Sequence, residues 1–271
     1  MSFNSPLALV LFAICAFCLC VAIPQMVKSI EKTLTRAEIP LPPRKILISG
    51  IAVQNLFLVI VAVAAGVLLA PAAGLRAPVL EALLSAGSLW ESLKPQLLPG
   101  IITGFIGIVV FILAYYSFFL PRLDFQTVWA IENQRLNLNL WGRLLYGGIV
   151  EEIIARWGIV SILIWLVTLL PGESGPLMIW LAIIISGIAF GLLYLPDYYA
   201  AGSIKSAIFF TFIAFMYLWN AIIFGWLFWQ YGLEAAIIAH MLYLLIWYPY
   251  DMRLNIAKKL ESELQNGATD S

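Results

Sequence analysis

The sequence predicts an all-α, polytopic membrane bundle of about seven transmembrane helices. Three observations carry that reading. Of 271 residues, 63% are hydrophobic and only 11% charged, whereas soluble domains run at roughly 45–50% apolar and about 25% charged. Mean hydropathy is +0.97. Finally, apolar stretches near the ~20 residues needed to cross a bilayer core recur at 5–23, 46–70, 99–120, 144–170, 176–195, 206–230 and 233–250.

Each element has its own warrant. The first stretch has no basic region before it, so 5–23 reads as a span and not as a cleaved signal. Its Cys15, Cys18 and Cys20 read as small apolar side chains and not as a disulfide framework. LPPRK at 41–45 separates spans one and two, because proline has no N–H for a helix. The run 76–98 carries Leu80, Leu83, Leu84 and Trp90 between charges and reads as an interfacial amphipathic segment. Residues 122–143 read the same way. PGESGP at 171–176 and LPDYYAAGS at 195–203 end spans four and five. Trp247, Tyr248 and Tyr250 fit an interfacial aromatic belt. The organisation is then residues 1–98 as N-terminal helices with a loop and the interfacial segment, 99–252 as the membrane core, and 253–271 as a polar tail.

Basic residues orient the chain. Lys28, Lys32, Arg36, Arg44 and Lys45, then Arg122, Arg135 and Arg143, then Lys205, then Arg253, Lys258 and Lys259 all lie on one side of a seven-span arrangement. Arg76 and Lys94 lie on the other. The positive-inside rule makes the richer side cytoplasmic, with the N-terminus outside and the C-terminus inside. The chain carries no basic stripe for nucleic acid, and its net charge is zero.

Against this background GGIVEEIIARWG, residues 147–158, stands out. Glu151, Glu152, Arg156 and the single histidine, His240, fall inside the expected spans, where ionisable side chains are costly and face the bundle. Glu152 and Arg156 are four residues apart on one helix face and can pair; Glu151 is turned about 100° away. Two readings follow: an ion pair that staples the bundle, or one paired and one available carboxylate. Gln54 and Asn55 read as interhelical hydrogen bonds. Gly187 and Gly191 form a small-xxx-small pair that lets helices approach and brings Tyr194 near span four. Asn220 is a further candidate to line a site. A zinc hydrolase needs about three protein ligands, so no metal or other cofactor is expected.

Three motifs occur in order: Glu151-Glu152-x-x-x-Arg156, then FGLLYLP at 190–196, then GLEAAIIAH ending at His240. Together they resemble the CAAX protease and bacteriocin-processing (CPBP, Abi) family of intramembrane proteases, which includes the type II CAAX prenyl endopeptidases. The resemblance covers about residues 100–250. It implies a glutamate mechanism, with catalytic positions at Glu151, Tyr194 and His240 and support from Glu152, Arg156, Phe190 and Asn220. Glu151 would be the general base and His240 an oxyanion donor. Two positions depart from the family. Tyr194 stands where the second motif has histidine, and Leu244, four residues after His240, stands where the family has asparagine. Tyrosine donates a hydrogen bond but is a poor base, and leucine donates none.

Two functions therefore remain: an endopeptidase acting on membrane-anchored peptides or proteins, or a catalytically impaired pseudoprotease serving as scaffold, chaperone or immunity factor. The expected partners are the lipid bilayer and a membrane-anchored peptide or protein. A small transporter fits less well, because no internal repeat is present.

Overall fold

A computed structural model describes residues 3–36, 38–136, 138–169 and 175–254, with the side chains of residues 36, 133, 134, 136 and 254 excepted. Most of the expected turn at 171–176 and the tail beyond 254 lie outside the described residues. Among these residues there are helices and no strand. In chain order they are α1 (Ser5–Arg36), α2 (Arg44–Leu69), α3 (Pro78–Leu84), α4 (Leu89–Ala114) and α5 (Phe125–Leu136). Next comes one helical run over 140–168, here α6, composed of Leu140–Gly142, two π-helical stretches at Arg143–Val150 and Ile153–Val160, and Ser161–Thr168. The last three are α7 (Pro176–Ala200), α8 (Ala207–Tyr231) and α9 (Leu233–Leu254).

Among the described residues six helices, α1, α2, α4, α7, α8 and α9, are long and apolar enough to cross a membrane. The seventh run, α6, carries the charges and lies in the middle: from Gly142 to Val160 nearly every side chain is buried. A charged helix is tolerated in lipid only with its polar groups turned to protein. The surrounding helices supply that protein while exposing Phe57, Phe105, Leu113 and Leu192 outward.

Close backbone approach sets the seams. A Cβ on Gly66 would strike the Trp157 ring, and one on Gly158 would strike Ala62, so α2 and α6 meet through glycine. On α4, Gly104 lies against the backbone of Ala239 in α9. Gly187 and Gly191 do serve close packing, but against Ala221 and Tyr217 of α8, not against α6. Small residues are the usual means of helix approach in lipid, where water no longer drives association.

Several boundaries differ from expectation. α1 continues through Pro24 to Arg36, because Lys28, Ser29 and Lys32 are acceptable helix residues once the chain leaves the apolar zone. Lys32 then sits over the Trp129 ring of α5 at 5.5 Å. α4 starts at Leu89, ten residues before the expected span, because the Ser88 hydroxyl accepts from the Glu91 N–H and caps it. Only α3 remains of the interfacial segment; Glu234 accepts from the backbone N–H groups of Val79 and Leu80 at 3.0 Å each. α7 runs through Pro196 to Ala200. α5 is not merely interfacial: Trp129 and Ala130 are buried with Ala201, and Thr127 accepts from the Ile204 N–H. Trp247 is not a belt residue either. It is 5% exposed, packed against Phe111 and Tyr243. Tyr250 is exposed, as is Gln54, which faces away from the bundle instead of bonding across it.

Candidate active site

The two glutamates sit between the π-helical stretches of α6. The Glu151 N–H bonds the Tyr146 carbonyl five residues back, a widened turn of the kind that recurs at functional sites. Gly147 and Gly148 leave room for α9 on that side; a Cβ on Gly148 would meet Met241, and one on Gly147 would meet Leu244. Adjacent positions send the two carboxylates to different partners.

Glu151 meets α7. The Tyr194 hydroxyl donates to Glu151 Oε1 at 2.5 Å, at the short end of the range for an O–H···O bond. Tyr194 is held in turn by aromatic neighbours: its ring stacks on Tyr217 at 5.5 Å and lies 5.4 Å from Phe190. Nearby on α6, the Tyr146 hydroxyl donates to Asn55 Oδ1 at 2.9 Å. Asn55 is therefore the interhelical hydrogen-bonding residue of the α2 pair.

Glu152 is fully buried and meets both Arg156 and His240. Arg156 Nη1 lies 3.2 Å from its Oε1, and His240 Nδ1 lies 2.7 Å from the same oxygen. The expected pair with Arg156 is present, but Glu152 is shared with His240. Arg156 Nη2 also donates to the Asn220 carbonyl at 2.8 Å. The Phe224 ring lies under both groups, 5.4 Å from the guanidinium and stacked 4.5 Å from the imidazole.

The two branches converge on one small, partly open cavity of about 30 Å³, lined among others by Glu151, Arg156, Phe190, Asn220 and His240. That volume admits a water molecule. Tyr194 is not in its wall but supports Glu151 from behind. Leu244 packs at Gly147, which lies near Glu151 Oε2. Three polar atoms of this group, Glu152 Oε2, Arg156 Nε and Asn220 Oδ1, have no partner among the described residues. No group of three or more His, Cys, Asp or Glu side chains suited to a metal ion occurs among those residues.

The order of motifs, the paired glutamates and the histidine on the last helix now stand in one geometry. Residues 133–246 match the family model described as type II CAAX prenyl endopeptidase Rce1-like. This part of the chain is similar to that family. The match begins in α5 and ends just past Leu244, so it takes in every residue of the cavity wall named above, while α1 to α4 lie outside it. No curated protein and no solved structure matches the chain. The similarity is thus confined to 133–246, within a chain whose long apolar helices make it a multi-pass membrane protein.

Sequence reasoning missed a second buried charge group. Asp251, on the last turns of α9, is bonded by Arg143 and Arg135. The expected span ended at 250, one residue short of it. An acidic residue following the aromatic run Trp247-Tyr248-Pro249-Tyr250, with Arg135 in α5 and Arg143 at the start of α6, was the available signal.

Proposed function

We propose that the protein is a glutamate-dependent intramembrane endopeptidase acting on membrane-anchored peptides or proteins from the cytoplasmic side. The observation that carries the reading is that Glu151 and His240 line one small, water-sized cavity within the bundle. Glu151 takes a proton from water, and the resulting hydroxide attacks the scissile carbonyl carbon. His240 donates from Nε2 to the oxygen that becomes negative. In that role both ring nitrogens carry protons, and Glu152, bonded to Nδ1, supplies the counter-charge. Glu151 then returns its proton to the departing nitrogen as the C–N bond breaks. Tyr194 orients the base, and Arg156 holds Glu152. The unpartnered atoms of Arg156 and Asn220 suit a bound peptide backbone, since buried polar groups are normally satisfied.

A second reading is favoured by a specific pair of side chains. Tyr194 ties one oxygen of Glu151, and Leu244 removes a donor, so the same scaffold would suit a pseudoprotease that binds a membrane partner. Cleavage of membrane-anchored peptides, prenylated and unprenylated, separates the two. The endopeptidase reading expects cleavage by wild type and none by Glu151→Ala. Cleavage only after Tyr194→His combined with Leu244→Asn would establish the scaffold reading. Wild-type cleavage unaffected by Glu151→Ala would remove the glutamate mechanism altogether.

A further inference from the structure

Two polar ties join α6 to α9, and only one belongs to the cavity. The first is Glu152 with His240. The second connects Arg143 Nη1 to Asp251 Oδ2 at 2.7 Å, with side chains 5% and 1% exposed. Arg135 of α5 joins it through Nη2 to Oδ1 at 3.0 Å and Nε to Oδ2 at 3.3 Å. Aromatic faces cover the guanidiniums: Arg135 lies 4.2 Å above the Trp247 ring, and Arg143 lies 4.9 Å from that of Tyr248. Burial opposes the charge on Arg135, but Asp251, Tyr115 and Glu132 outweigh it and hold the guanidinium above its ordinary range.

We propose that Arg143 and Asp251 are positioning residues that set the register of α9 on α6 and so hold the His240 ring on Glu152. The functional consequence rests on the endopeptidase reading; the structural coupling does not. The need for such a tie is visible in the seam. Between the two polar contacts the helices meet at Gly147 with Leu244 and at Gly148 with Met241. Glycine presents no side chain to interlock, so that contact alone resists sliding poorly. Both helices are also locally irregular there. α6 is π-helical over Arg143–Val150, and α9 contains Pro249, which removes a backbone donor two residues before Asp251. A slip of one helical turn, about 5.4 Å, would draw Asp251 off both guanidiniums. Buried charged groups are best attested in this role, as devices that select one register among several. Arg143 precedes Glu152 by nine residues and Asp251 follows His240 by eleven. In antiparallel helices those separations, about 13 and 16 Å at ~1.5 Å per residue, place the second tie roughly three turns from the first.

The single histidine makes the test specific, because the imidazole signals of nitrogen-15 labelled protein in lipid vesicles report His240 alone. The variants are Asp251→Asn, Arg143→Gln and Arg143→Lys in the full chain. Glu234→Gln, at the opposite end of α9, serves as the control for a purely structural loss. The expected result is that Asp251→Asn and Arg143→Gln shift the Nδ1–H signal toward a weaker hydrogen bond. Arg143→Lys should recover part of that shift, and Glu234→Gln should leave the signal in place. A wild-type His240 signal in whichever of Asp251→Asn and Arg143→Gln is folded would overturn the proposal. Loss of the fold in both would overturn it equally, since a contact that decides whether the chain folds does not act by positioning His240. A shifted signal with undiminished peptide cleavage would support the register tie and count against His240 in the endopeptidase reading.

Discussion

Arg156 balances the charge of the buried site. It pairs with Glu152 at 3.2 Å and holds the Asn220 carbonyl at 2.8 Å, with only 6% of its side chain exposed. Arg156→Ala would leave Glu152 to His240 alone, and stranding a buried charge costs about 3–5 kcal/mol. The expected outcome is a clearly lowered unfolding midpoint in detergent; an unchanged midpoint would contradict the buried pairing. Asn55 and Tyr146 give a milder, neutral counterpart. Tyr146→Phe leaves Asn55 Oδ1 without its donor, at a cost of about 1–3 kcal/mol. Adding Asn55→Leu removes the stranded acceptor, so the double variant should recover part of the loss. A cycle in which the two changes simply add would show that the bond contributes no coupling.

At the scale of elements, glycine seams decide how close the helices come. A Cβ on Gly104 would lie 2.7 Å from the Ala239 carbonyl oxygen and 2.8 Å from its Cα. Backbone on that side cannot rotate away, so Gly104→Leu should destabilise by at least the ~1–3 kcal/mol typical of overpacking, and should displace α9 with His240. Normal stability in that variant would mean that α4 and α9 stand further apart. The same scale shows what could be read from the sequence. Length and apolarity carried the spans, and the cost of charge in lipid carried Glu151, Glu152, Arg156 and His240 into the bundle. The early start of α4 was readable from Ser88 and Glu91, a capping pair, but Pro95 and Pro99 argued locally for a break. The burial of Trp247 was not readable, because its partner Arg135 is 112 residues away and an aromatic at a helix end suits a membrane interface equally well. The sharing of Glu152 between Arg156 and His240 depends on how α9 lies on α6, which no local pattern encodes.

For the molecule as a whole, the basic residues predict which way it crosses the membrane. Lys45 and Glu91 are both exposed, at opposite ends of the bundle. With the three native cysteines replaced by alanine, Lys45→Cys should react with a membrane-impermeant thiol reagent only after the membrane is opened. Glu91→Cys should react in intact cells. The reverse pattern would invert the orientation and move the site's opening to the outer face. The central claim concerns what the bundle encloses: a base and an electrophile on one water-sized cavity. Its most direct test is the initial rate of membrane-anchored peptide cleavage in lipid vesicles by wild type and by Glu151→Gln, which keeps the Tyr194 contact and removes the base. Loss of a general base predicts a fall of about 100-fold or more with the fold and the His240 signal retained; a rate within about threefold of wild type, well short of that loss, would contradict the account.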